Sequence, residues 1–98
     1  MNYGLALMRQ ARYDEAIAVY NTALTYTPTY SYLHINMAIA YNAIGNEGKA
    51  KYHFERAMQL APEIPETNYF YADWLLKKGE LERAKVLLQK TIRLSPAH

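Results

Sequence analysis

The side chains of this 98-residue sequence that are able to do metal or nucleophilic chemistry are few and scattered. His34, His53 and His98 are never three or four residues apart, the spacing that brings two histidines of one helix to a single metal ion. The serines are Ser31 and Ser95, at positions where helices are predicted below to begin or end, so capping explains them. We therefore interpret the histidines as structural and expect no metal site.

Other routes to catalysis are equally poor. The sequence has no cysteine, which excludes disulfide scaffolds, thiol nucleophiles and cysteine-ligated zinc. Asp14 and Asp73 are predicted on different helices, with no partner that the sequence places beside either of them. The four glycines are dispersed and form no phosphate-binding loop. We expect no enzymatic activity and no cofactor.

Charge and length narrow the class of protein further. Eleven Lys and Arg against nine Asp and Glu give a net charge of +2, which lacks the positive footprint of a nucleic-acid-binding protein. The longest apolar runs, 16–20 and 37–41, have five residues each, far short of the roughly 20 that cross a bilayer. We therefore expect no nucleic-acid partner, no membrane insertion, and one small globular domain.

The elements that must position these residues follow from an internal period. Pro28, Pro62 and Pro96 stand 34 residues apart. The same spacing relates several other sets of similar residues: Gly4, Ala38 and Ala72; Ala16, Ala50 and Ala84; Tyr20, Phe54 and Leu88; Ala23, Ala57 and Thr91; and Gly45 with Gly79, where Ala11 is the earlier equivalent. Periods of this length are typical of stacked helical or solenoid repeats.

Each unit of the period is predicted to contain two helices. In the middle unit, apolar residues at helical spacing indicate a helix over 32–44, with Ser31 as its N-cap. Gly45 is suited to end that helix in the left-handed conformation of a C-terminal cap. Asn46 is then expected to cap a second helix, which ends before Pro62.

The flanking units follow the same scheme. In the third unit, a helix is predicted to begin near Pro65 and end at Gly79, and a second to run over 82–94. The first unit is predicted to contain helices over 1–10 and 14–26. The third unit has six basic residues, all from residue 77 onward, and four acidic ones, so its net charge is +2, which is interpreted mainly as a solvated helix face.

Together the 34-residue period, the helix pairs and the small and large positions resemble the tetratricopeptide repeat. The matching positions are His34, Met37, Ala38, Tyr41, Ala50, Phe54, Ala57 and Pro62 in the second unit, and Asn68, Tyr71, Ala72, Leu75, Ala84, Leu88, Thr91 and Pro96 in the third. The family tryptophan is replaced by His34 and Asn68. The resemblance implies an all-α solenoid of helix-turn-helix repeats, a right-handed superhelix, with units 1–30, 31–64 and 65–98 in a single domain. Because the first unit is four residues short, we expect a piece of a longer protein.

The resemblance also implies a function, because the first helices of successive repeats line a concave groove that receives a peptide or partner helix. Carried over to this sequence, the groove residues are Leu5, Arg9, Tyr32, Ile35, Asn36, Ile39, Asn42, Tyr69, Phe70 and Asp73. Exposed Ile35, Ile39, Tyr69 and Phe70 are expected to form an apolar patch. The clamp for a carboxylate tail, found in one branch of the family, is not expected, since Glu66 and Phe70 stand where Lys and Arg are needed.

We therefore predict a protein–protein interaction module that binds a protein or peptide partner, mostly apolar, in this groove. The alternative is a self-association scaffold, a homodimer or a stacked or swapped assembly, within a larger multidomain protein. Trp74 and Leu88, near one end of the repeats, are candidates for that contact. The sequence does not decide between these two kinds of partner.

Overall fold

The computed structural model describes residues 2–95, which form six α-helices and no β-strand. The helices are α1 (Asn2–Arg9), α2 (Tyr13–Tyr26), α3 (Ser31–Ala43), α4 (Glu47–Leu60), α5 (Pro65–Lys77) and α6 (Leu81–Leu94). Every predicted helix is therefore present, with ends within one or two residues of those expected. Pro96 and His98 lie outside the described residues.

The chain forms two compact units, which divide between Leu60 and Ala61. In the first unit, α1 packs on α2, α2 on α3, and α3 on α4; in the second, α5 packs on α6. We call α1–α2, α3–α4 and α5–α6 the first, second and third helix pairs. This is the all-α helix-turn-helix arrangement that the sequence predicts.

The turn inside each pair depends on a residue with a positive φ angle. Gly45 and Gly79 both have φ +83°, as expected for residues that end a helix in the left-handed conformation. The equivalent residue of the first pair, Ala11, has φ +58°, a conformation that places an alanine side chain under strain. The three turns are alike in backbone, although the first is made without glycine.

The predicted caps of the second pair have different outcomes. The Asn46 side chain accepts a hydrogen bond from the backbone N–H of Lys49 at 3.2 Å, so it caps α4 as expected. The prediction that Ser31 is the N-cap of α3 is wrong. Tyr30 holds that position without a side-chain hydrogen bond, and Ser31 is the first helical residue, 6% exposed.

The interior of each pair is built from the small and large residues of the 34-residue period. Ala16, Ala50 and Ala84 are fully buried, which lets paired helices approach closely. In the first pair, Tyr20 packs on Gly4 so tightly that a Cβ on Gly4 would lie 2.8 Å from the Tyr20 Cζ. Gly4, Ala38 and Ala72 are buried like the alanine row, whereas Leu88 and Thr91 of the third pair are half-buried.

Candidate functional site

The predicted residues Tyr69 and Phe70 lie on the surface of α5, where they form an aromatic pair. Their rings meet edge to face, with centroids 5.4 Å apart, and their exposed fractions are 49% and 38%. Neighbouring helical residues do not share a face of a helix, so the pair covers a wider part of the surface than one stripe. Large exposed aromatic side chains of this kind are typical anchors of protein interfaces.

A pocket of about 320 Å³ opens beside this aromatic pair, entirely within the second compact unit. Its lining consists of Pro65, Glu66, Tyr69 and Phe70 from the start of α5 and Thr91 from the end of α6. The Thr91 hydroxyl donates a hydrogen bond to the backbone carbonyl of Leu87 at 2.8 Å. That hydroxyl is already engaged in a hydrogen bond. Glu66 is the charged residue of the lining, and the other lining surface is mostly apolar.

The charges around the pocket follow from the direction of α5. Glu66 lies in the first turn, where the helix dipole favours a negative charge. Asp73, a predicted groove residue, lies further along α5 and is half-buried, and its carboxylate pairs with Lys77 at 3.1 Å. Glu66 therefore makes the pocket rim negative, while the charge of Asp73 is offset by its own neighbour.

The predicted groove residues of α3 have mixed exposure. Tyr32 is 38% exposed and Asn42 is exposed, whereas Asn36 and Ile39 are half-buried. The expectation that Ile35 is exposed is wrong, because its side chain is 3% exposed and belongs to the core. The reason is the central position of α3 in the first unit: this helix packs on both α2 and α4, so more than one of its faces is buried.

The remaining predicted groove residues, Leu5 and Arg9, lie on α1. Leu5 is half-buried and Arg9 is exposed at the end of the helix. They share the first compact unit with the α3 residues, whereas Tyr69, Phe70 and Asp73 belong to the second unit. The residues that are brought together directly are Tyr69 and Phe70.

Sequence reasoning missed a pair of buried histidines in the second helix pair. His34 on α3 and His53 on α4 are 3% and 6% exposed, and their Nδ1 atoms lie 3.0 Å apart. His34 Nε2 is 2.8 Å from the carbonyl oxygen of Pro28. Because a carbonyl only accepts, His34 donates from Nε2 and accepts at Nδ1, and His53 must then donate from its own Nδ1.

Aromatic and basic side chains surround this histidine pair. The Tyr41 ring is stacked on the His53 ring with centroids 5.6 Å apart, and the Tyr52 ring meets His53 edge-on at 4.9 Å. The Lys49 ammonium lies 5.3 Å from the centre of the Tyr41 ring. Burial, the neighbouring His34 and the charge of Lys49 lower the pKa of His53 to about 4.

The third helix pair has different residues and different hydrogen bonds at the equivalent positions. Asn68, the equivalent of His34, donates from Nδ2 to the carbonyl oxygens of Pro62 at 2.9 Å and Ile64 at 3.0 Å. The equivalent of His53 in the third pair is Leu87, which has no polar group to offer. The buried Oδ1 of Asn68 accordingly has no hydrogen-bond partner among the described residues. The His34–His53 contact was detectable in the sequence as two polar residues at facing core positions of one repeat.

Two other kinds of site are absent from residues 2–95. These residues contain no group of three or more His, Cys, Asp or Glu side chains arranged to hold a metal ion. None of the helices they form is both long enough and apolar enough to span a bilayer. The exposed surface at the start of α5 is the candidate site that remains.

The fold and the aromatic surface define an α-helical repeat protein, and the comparisons with known proteins specify the repeat. The sequence model of the tetratricopeptide repeat matches residues 4–45. The crystal structure of the Sgt2 tetratricopeptide repeat domain from Aspergillus fumigatus is similar, with a TM-score of 0.86 and 26% sequence identity. That similarity covers 97% of this chain and 63% of the Sgt2 chain. No curated protein matches the sequence.

The fold is all-α and solenoid-type, similar to that of tetratricopeptide repeat domains, and the sequence match to the repeat itself spans residues 4–45. Proteins built from this repeat are typically non-enzymatic modules for protein–protein interaction. The chain spans about three-fifths of the solved Sgt2 domain, since 63% of that chain is covered.

Proposed function

We propose that the chain binds a partner protein through an extended or helical segment that inserts an apolar side chain into the pocket at the start of α5. The observation that carries this proposal is the exposed Tyr69–Phe70 pair beside a pocket of about 320 Å³. That volume lies at the lower end of the range of about 300–1,000 Å³ for ligand pockets. It suits one large aliphatic or aromatic side chain.

The charge of the pocket indicates what flanks that side chain. Glu66 is one of the residues that line the pocket and it is exposed, so its carboxylate favours a lysine or arginine next to the inserted residue. The same carboxylate repels the free carboxylate of a C-terminal tail. We therefore expect an internal partner segment with an apolar residue beside a basic one, which differs from the ligand of the carboxylate-clamp branch.

The first compact unit has a separate contact area on α3, which we propose as a weaker binding surface of its own. Tyr32 is exposed there and Ile39 is half-buried. Because so few side chains are exposed, the interface is expected at the lower end of interface sizes, with a dissociation constant on the order of micromolar.

The test is a peptide-library selection against the whole chain, followed by binding measurements on Y69A/F70A. Removing both rings deletes the wall of the pocket, so selected peptides are expected to bind at least tenfold more weakly, the loss of one good anchor. The matched control is Y26A/L81A, which removes one exposed aromatic and one exposed aliphatic side chain, 81% and 59% exposed, neither of which lines the pocket. Circular dichroism checks that both variants remain helical.

The same experiment defines the result against the proposal. If Y69A/F70A and Y26A/L81A bind the selected peptides equally well, the pocket is not the binding site. An E66K variant refines the outcome, because it is expected to reject peptides with a basic neighbour while retaining those with an acidic one.

A second candidate function, self-association, is favoured by the apolar side chains on α6. Val86 and Ile92 are 61% and 66% exposed, and Leu88 is half-buried. The expectation that Trp74 belongs to this contact is wrong, because its side chain is 7% exposed and lies in the core. Exposed apolar residues that recur on one helix are typical of surfaces that bind another chain. Sedimentation velocity from about 5 to 500 µM, a range that covers weak interfaces, tests this candidate. A constant monomer mass would eliminate it.

A further inference from the structure

We propose that the His34–His53 pair is an acid-sensitive lock between α3 and α4. The two helices stay packed while both imidazoles are neutral, and their packing is lost when the pair takes up a proton. This inference is independent of the proposed binding pocket, which belongs to the other compact unit. It concerns the range of pH over which the second helix pair remains folded.

The hydrogen bonds of the pair require both rings to be neutral. His34 donates from Nε2 to Pro28, so its Nδ1 is a bare acceptor. The Nδ1–H of His53 fills that acceptor across 3.0 Å. One proton therefore joins the two helices, and the arrangement holds in only one combination of tautomers.

A further proton has two possible positions, and both are unfavourable. On His34 Nδ1 it would set two N–H donors against each other at 3.0 Å and remove the contact between α3 and α4. On His53 Nε2 it would create an imidazolium on a side chain that is 6% exposed. A buried charge without a counterion is costly.

The groups that face the pair do not offset such a charge. From α4, Lys49 adds a positive charge and Tyr52 contributes the edge of its ring; from α3, Tyr41 stacks on His53. The group contributed by the segment after α2 is the Pro28 carbonyl, which already accepts from His34. Among the described residues, the groups whose charge acts on His53 are Lys49 and, once it is protonated, His34, with no carboxylate to balance them.

The third helix pair provides the contrast within the same chain. Its equivalents of the two histidines are Asn68 and Leu87, neither of which titrates. Asn68 still donates to the carbonyl of Pro62, as His34 does to Pro28. Acid sensitivity from this source therefore belongs to α3–α4 and not to α5–α6.

The direction of the pH effect follows from linkage. The pKa of His53 is about 4 in the folded chain and about 6.5 when unfolded. The unfolded state thus binds more protons between these values, and stability falls as pH drops from about 6.5 towards 4. In the middle of this window each pH unit raises the opening constant of the second pair up to about tenfold, and the complete titration, from well above pH 6.5 to well below pH 4, raises it about 300-fold.

The experiment compares the wild-type chain with H34N/H53L, which installs the residues of the third pair in the second. Amide hydrogen exchange, corrected for the intrinsic effect of pH, gives the opening constant of α3–α4 between pH 6.5 and 4.5. We expect a rise of about 40-fold in the wild type beyond the change in H34N/H53L, which retains every carboxylate. The amides of α5–α6 are the internal control, and they are expected to change equally in the two proteins.

Equal pH slopes for α3–α4 in the wild type and the variant would overturn the proposal. If H34N/H53L does not fold, nitrogen-15 NMR of the wild-type imidazoles gives an independent answer. At pH 7 we expect His34 to carry its proton on Nε2 and His53 on Nδ1, with His53 titrating near pH 4. Rapidly exchanging tautomers, or a His53 that titrates near 6.5, would equally contradict the lock.

Discussion

The second and third helix pairs are built from equivalent positions 34 residues apart, yet their second helices differ greatly in burial. In the second pair, α4 buries Ala50, His53, Phe54 and Ala57, whereas α6 of the third pair buries Ala84 alone. The turns are the same, since Gly45 and Gly79 share φ +83°. A common backbone therefore supports two different surfaces. The closed second pair supplies stability, and the open third pair exposes the apolar side chains available for a partner.

The largest expected effect of this difference is on stability, and it is tested by F54A and L88A, which truncate equivalent residues of the two pairs. Phe54 is 2% exposed, so its removal leaves a cavity and should cost about 3–5 kcal/mol of unfolding free energy. Leu88 is half-buried, and we expect L88A to cost about 1 kcal/mol. Urea unfolding followed by circular dichroism measures both. Equal losses would show that the third pair is packed as tightly as the second.

A smaller effect is expected at the polar residue that replaces the family tryptophan. H34A should cost about 2–3 kcal/mol, because it leaves the buried N–H of His53 and the carbonyl of Pro28 without their partner. N68A removes two donated hydrogen bonds but also an oxygen that has no partner, so we expect a loss of about 1 kcal/mol. Urea unfolding measures the free energy lost in each variant. A greater loss for N68A than for H34A would contradict this prediction.

The smallest effect concerns the turns and extends the comparison to the first pair. A11G should raise the unfolding free energy by about 1 kcal/mol, because glycine adopts the positive φ angle of this turn without strain. G79A should lower it by a similar amount, since the space around Gly79 is open and the backbone alone opposes the change. Thermal melting compares the two variants, and a stabilising G79A would contradict the explanation.

The repeated fold was predictable because its signals are local and recur. Pro28 and Pro62 mark the segments that separate the pairs, and Gly45 and Gly79 mark the turns within them. The cap at Asn46 was found from its own residue type. Ser31 was assigned wrongly as the N-cap, which is Tyr30. The N-cap and the first helical position are one residue apart, and the preferences of residue types are too weak to distinguish them.

The site was less predictable, because exposure depends on what else packs on a helix. Ile35 and Tyr69 are equivalent positions, but the first is in the core and the second is on the surface. The meeting of His34 with His53 depends on the alignment of two helices, and the spacing of residues along one helix does not reveal it. The pocket between the start of α5 and the end of α6 likewise joins residues 65 and 91.

The most direct test of partner binding at the open third pair is an NMR titration of the nitrogen-15-labelled chain with a selected peptide. We predict that amide shifts change most at the start of α5, around Glu66, Tyr69 and Phe70, and at Thr91, the residues that line the pocket. Shift changes confined to the exposed side of α4, around Tyr52, or to α2 would contradict the account and place the binding surface on the second helices of the repeats.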